Sequence, residues 1–210
     1  MTGPGSTETR ILVALAGVLA ATPALAHHPL GGDVPGTLVD GLMSGLAHPI
    51  LGVDHLAALV AVGLIAARGA GLLAAPGGWV LGMLAGVALH MAGVGLPFGE
   101  ALVAGTVLAL GLALVAPGAL SRPAVLALVA AGGFMHGHAL AESIIGAEAT
   151  PLVAYLAGLA IVQIALAAGI ALVARGLGRE PAQPAGLRAA GLALAVVGAG
   201  FLVSGLVGSA

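Results

Sequence analysis

Apolar residues run along this chain in six long blocks, and turn-forming or polar residues mark the gaps between them. The blocks lie near 38–67, 76–95, 98–116, 122–146, 151–174 and 187–208. The gaps carry Ala75-Pro76-Gly77-Gly78, Leu96-Pro97, Ala116-Pro117-Gly118, Thr150-Pro151 and the stretch from Pro181 to Pro184. Pro and Gly punctuate helices in this way. At 1.5 Å per residue, a helix of about 20 apolar residues crosses the ~30 Å hydrocarbon core of a bilayer. The pattern predicts an all-α membrane protein, a bundle of six transmembrane helices. Ahead of it, Arg10 precedes the apolar run from Ile11 to Ala21, followed by Pro23 and Ala24-Leu25-Ala26. That is the layout of a secretory signal peptide over 1–26, leaving a membrane domain over 27–210. An uncleaved anchor helix is the alternative; the short apolar run and the small-residue pattern favour cleavage.

Composition sharpens this picture. Of 210 residues, 60% are hydrophobic and 7% charged, against about a quarter charged in soluble domains. Mean hydropathy is +1.18. The 36 glycines suit close helix packing, and aromatics at 2% provide no girdle for a transmembrane barrel. The chain has no Cys, which excludes thiolate metal sites and thiol catalysis, and no Lys. A net charge of −2 gives no basic patch, so nucleic acid is not an expected partner. The expected partner on these grounds is a lipid bilayer.

The arginines orient the bundle. Arg68 falls between the first and second blocks and Arg122 between the third and fourth. Arg175, Arg179 and Arg188 fall between or beside the fifth and sixth, while the gaps near 96 and 147–150 hold neither Arg nor Lys. The positive-inside rule makes the arginine side cytoplasmic. Both mature termini are then expected outside the cell membrane, in agreement with signal cleavage.

Two constellations place ionisable groups within the blocks. His48 precedes Asp54 and His55 in the first, and His136, His138 and Glu142 lie in the fourth. Acidic side chains at a bilayer centre cost roughly 2.5–3.5 kcal/mol on the translocon scale, so such residues are functional candidates. Counting from the arginine side, His55, His90 and His136 fall at one depth, about 20 Å in. His48 and Glu142 fall at about 30 Å. His48 and His55 share a helix face within about 20°, and His138 and Glu142 share one as an i, i+4 pair. His136 is about 120° from Glu142, so joint binding by all three needs a distorted helix. Pro49, Gly52, Gly132, Gly133 and Gly137 make distortion plausible, and transporters bind substrate where helices break. Each half holds three blocks and begins with a motif-bearing helix, the expectation for a 3+3 inverted repeat with a site at its interface.

The segment Ala47-His48-Pro49-Ile50-Leu51-Gly52-Val53-Asp54-His55-Leu56 resembles the H-P-x-x-G-x-D-H signature of the HupE/UreJ family of hydrogenase and urease accessory membrane proteins. The stretch from Phe134 to Glu142 is similar to that family's second histidine/glutamate helix. Leu140 and Ala141 depart from the family's pattern, which favours His136 and Glu142 over His138. The resemblance covers essentially the whole chain and implies a nickel permease, with Ni(II), or Co(II), as transported substrate and no organic cofactor.

The resulting metal-ligand candidates are His48, Asp54, His55, His136 and Glu142, with His138 and His90 as weaker ones. Imidazole suits Ni(II), and carboxylates offset its charge. Each has a structural alternative: a buried Asp–His tie for Asp54 and His55, a helix-break hydrogen bond for His48, a solvated position for Glu142, and a packed core histidine for His90. At the expected new amino terminus, His27 and His28 could chelate an ion for outer capture, or form a solvated tail. Glu100 suits a helix amino terminus; attracting cations to a mouth is its second reading. Asp33 and Asp40 read as solvated outer residues. Without a G-x-x-x-x-G-K-[ST] loop, ATP hydrolysis of that type is excluded. A membrane potential supplies about 2.3 kcal/mol per charge per 100 mV, doubled for a dication. An intramembrane metalloenzyme, a non-transporting metal-binding accessory protein and a proton pathway are the rival readings; the absence of H-E-x-x-H counts against the first.

Overall fold

The computed structural model describes residues 33–177 and 184–208. The expected signal peptide, His27, His28, Arg179 and Glu180 lie outside the described residues. Among those described the regular structure is helical, with no strand: α1 (Leu38–Leu51), α2 (Val53–Ile65), α3 (Ala74–Met91), α4 (Gly99–Val115), α5 (Arg122–Leu140), α6 (Ala149–Leu177) and α7 (Pro184–Gly208). A π-helical turn, Ala66–Ala70, extends α2, and a 3-10 turn, Ala141–Ile144, extends α5. Five stretches are long and apolar enough to cross a membrane: Val53–Ala70, Ala74–Met91, Arg122–Ile144, Ala149–Gly176 and Gly186–Gly205. This is a multi-pass membrane protein. The third expected span is a shorter helix of 17 residues, Gly99–Val115.

The first expected span, 38–67, is two helices rather than one. Thr37 starts α1 through a capping box: its Oγ1 accepts the Asp40 N–H at 3.1 Å, and Asp40 Oδ2 accepts the Thr37 N–H at 3.0 Å. Asp40 therefore has a local structural task beyond being solvated. Pro49 lies inside α1, and three residues later Gly52 turns extended, at φ −75° and ψ 109°. Glycine is required there because a Cβ would meet His55 Cδ2 at 2.7 Å.

Packing is organised by three close helix pairs: α3 along α5, α4 along α7, and α1 with α2 along α6. Small residues let the backbones touch. Gly82 and Gly86 of α3 face the Ala130 and Phe134 carbonyls, while Gly133 and Gly137 of α5 face those of Trp79 and Met83, with no room for a methyl group. Gly41 and Gly45 of α1 likewise meet the Pro151 and Tyr155 carbonyls, and Gly111 and Gly191 meet between α4 and α7. Exchanging the first three apolar blocks with the last three maps these pairings onto one another.

The arginines gather at one end. Arg175 donates to the Ala66 and Ala67 carbonyls at 2.8 and 3.2 Å, Arg122 to Ala70 O at 3.2 Å and Arg68 to Leu114 O at 3.2 Å. The first three bonds take up carbonyls of the irregular 66–70 turn, and the last takes up one of the terminal carbonyls that α4 leaves unpaired within the helix. Leu81, Val153, Leu172, Val173 and Leu192 are exposed around the bundle, the pattern of a surface facing lipid.

Candidate metal-binding pocket

The opposite end of α4 from Leu114 borders a cavity of about 90 Å³, lined by His48, Asp54, His55, Glu100, Glu142 and Ser143, with Phe201 and Ser204 from α7. That volume admits several waters or a partly hydrated ion, since one water needs roughly 10–15 Å³ by the same measure. Glu100 and Glu142 are exposed and Asp54 is half-buried, whereas His48 and His55 are buried. Carboxylates thus occupy the mouth and imidazoles the interior. Glu100 occupies the first turn of α4 as expected, and also lines the mouth, the reading sequence reasoning ranked second.

Behind the pocket, hydrogen bonds define which nitrogen of His55 carries a proton. Thr106 Oγ1 donates its single proton to Val103 O at 2.7 Å. It can therefore only accept from His136 Nε2, at 3.1 Å. With hydrogen on Nε2, the neutral His136 ring carries a lone pair on Nδ1. His55 Nδ1, 2.6 Å away, must donate to it. Neutral His55 is left with its lone pair on Nε2, the form required of a metal ligand. Both rings are buried, His136 completely. Trp79 packs on His136 at a centroid distance of 4.9 Å, and its indole N–H donates to Gln163 Oε1 at 2.6 Å.

His48 is held by a second network. Its Nδ1 lies 3.0 Å from the Tyr155 hydroxyl and 3.4 Å from Ser143 Oγ. Both hydroxyls reach Leu140 O, at 3.0 Å each, the carbonyl at which α5 passes into the 3-10 turn. The His48 and His55 rings stay 5.7 Å apart across the Gly52 break, and Asp54 Oδ1 accepts the His55 backbone N–H at 2.8 Å. No buried side-chain nitrogen or oxygen among the described residues lacks a partner. Among them, too, no three His, Asp or Glu side chains already surround one point as a finished metal centre would.

The predicted residues therefore separate. His48, Asp54, His55 and Glu142 meet in the pocket, and His136 stands behind His55 in contact with it. His138 does not join Glu142; it pairs with His90 between α3 and α5. Thr106, Trp79, Ser143, Tyr155 and Gln163 were not singled out from the sequence. The lone Trp and Tyr of the chain, and a Gln inside an apolar block, are the signals that could have flagged three of them, since polar groups within membrane helices seek partners across helices.

The family model described as HupE / UreJ protein matches residues 14–201. Protein HupE of Rhizobium leguminosarum bv. viciae is 33% identical over 189 residues, covering 87% of this chain and 93% of that protein. No solved structure matches the chain.

Proposed function

The chain belongs to the HupE/UreJ family, and on that premise we propose that it is a permease, not an enzyme, that carries a divalent transition-metal ion across the cell membrane. Ni(II) is the favoured substrate and Co(II) the second. The carrying observation is the pocket that joins His48, Asp54, His55, Glu100 and Glu142. Carboxylates at its mouth draw in a dication and offset its charge, while borderline imidazole ligands select transition metals over Mg(II) and Ca(II). His55 presents Nε2, and His136 acts by orienting His55 rather than by binding first. Asp54 and His48 complete the inner donors and Glu142 the outer one, while Glu100 at the mouth attracts the ion by its charge. The donors converge without a finished cage, which suits a carrier that must release its ion.

In this reading the arginine end is cytoplasmic and the pocket opens outward, with both mature termini outside. Arg68, Arg122 and Arg175 tie that end closed, so release needs those contacts to part. The pairings of α3 with α5 and of α1 and α2 with α6 support a 3+3 inverted repeat whose halves rock about the site. The His55–His136 contact between the first and fourth blocks supports it as well.

The test is radioactive nickel uptake in cells lacking other nickel importers, comparing the intact protein with Asp54→Asn and His55→Ala at equal membrane abundance. Uptake abolished by both changes is the expected result. Uptake at the empty-vector level for the intact protein, with cobalt also negative, would refute the permease; nickel binding without uptake would point to an accessory role.

A further inference from the structure

We infer that His90 and His138 form a second binding site for a divalent first-row transition metal, separate from the pocket. His136 and His138 are two residues apart on α5 and so point about 200° from one another around the helix. His136 turns to His55, whereas His138 turns to His90 on α3, with the two Nδ1 atoms 3.3 Å apart and the ring centroids 4.4 Å apart. Neither ring lines the pocket.

The geometry follows from the glycine crossing. Gly86 lies so close to α5 that a Cβ would meet the backbone N of His138 at 2.8 Å. His90 is one helical turn beyond Gly86, which carries its ring over to that of His138. Val94 O then selects the tautomer. A carbonyl only accepts, so the 2.8 Å contact with His138 Nε2 requires hydrogen on that nitrogen. The neutral ring consequently directs a lone pair on Nδ1 towards His90. This is the arrangement by which a carbonyl behind an imidazole prepares the other nitrogen for a metal.

The separation suits a metal site. Adjacent ligands of an ion bonded at 2.0–2.1 Å lie about 2.9–3.4 Å apart. The 3.3 Å of His90–His138 falls in that range, so two rings that otherwise share a proton can take one ion with little movement. The 2.6 Å of His55–His136 is short enough only for a shared proton. His90 is half-buried and Met91 and Ala92 are exposed, so water can supply the remaining positions. A two-imidazole site favours Ni(II), Cu(II) and Zn(II) over Mg(II) or Ca(II). Its use as a capture station ahead of the pocket rests on the permease reading; its ability to bind an ion does not.

Equilibrium dialysis of the full chain in lipid nanodiscs against nickel chloride tests this. Two ions per chain are expected, with His90→Gln and the Asp54→Asn/His55→Ala double variant each losing a different one. Two ions retained in His90→Gln, or a single ion that only the double variant loses, would overturn the second site and leave the permease reading standing. A single ion that only His90→Gln loses, with uptake unaffected by the double variant, would uphold the second site and refute the permease site. No binding by the intact chain would refute both. As a spectroscopic check, the intact chain loaded with Cu(II) should show dipolar coupling between two bound ions in pulsed electron paramagnetic resonance. The spectrum of an isolated ion that persists in His90→Gln would overturn the proposal.

Discussion

Replacing Thr106 by Val removes one hydroxyl and almost no volume, and it tests the relay behind the pocket. The hydroxyl is the acceptor that keeps hydrogen on His136 Nε2, 3.1 Å away, and through the 2.6 Å contact it leaves the lone pair of His55 on Nε2. Without it, two outcomes are open to a ring that is completely buried. His136 keeps its tautomer and its N–H turns to the Val103 carbonyl beside it, which Thr106 no longer occupies, leaving a weaker support behind His55. Alternatively, both rings reverse their tautomers, and His55 turns a hydrogen towards the ion. Either way nickel affinity falls. Loss of a hydrogen bond supporting a ligand typically costs 10–100-fold in metal affinity, or roughly 1.4–2.8 kcal/mol. Calorimetric titration of the purified chain with nickel measures it, and Thr106→Ser, which retains a hydroxyl, should recover most of the affinity. Thr106→Val binding nickel as the intact protein does, at unchanged thermal stability, would refute the relay.

Two further outcomes follow from the same geometry. Glu100→Gln should slow nickel uptake at low ionic strength and matter less at high salt, because an exposed carboxylate at the mouth acts through a field screened within about 8 Å at 0.15 M; uptake rates against salt concentration measure this, and a salt-independent loss would instead make Glu100 a direct ligand. Gly137→Leu should collapse the yield of folded protein, because its Cβ would run into the Met83 carbonyl at the α3–α5 crossing, whereas Gly169→Leu, with open space around it, should be tolerated. Fluorescence-detected size exclusion of the two variants distinguishes them.

The apolar blocks by themselves determined that this is a helical multi-pass protein, because a bilayer core imposes length and apolarity on any helix that crosses it. The arginine spacing foretold one arginine end, and Arg68, Arg122 and Arg175 do converge on the 66–70 turn and its neighbour Leu114. Pro49 and Gly52 announced a distorted first span, and Gly52 is where it breaks. Helical periodicity also gave the direction of each histidine on its own helix, but a direction acquires meaning only from the neighbour it meets. Tertiary packing alone decided that His136 meets His55 and Thr106, that His138 meets His90, and that Glu100 from the start of α4 reaches the same cavity as Glu142. It also decided that Tyr155 would reach His48, with Ser143 beside it, at the Leu140 carbonyl. The contacts among these histidines and their partners join residues at least 30 and up to 107 positions apart, and their geometry follows from how closely glycine-lined helices approach, a property of pairs of helices that no single span contains.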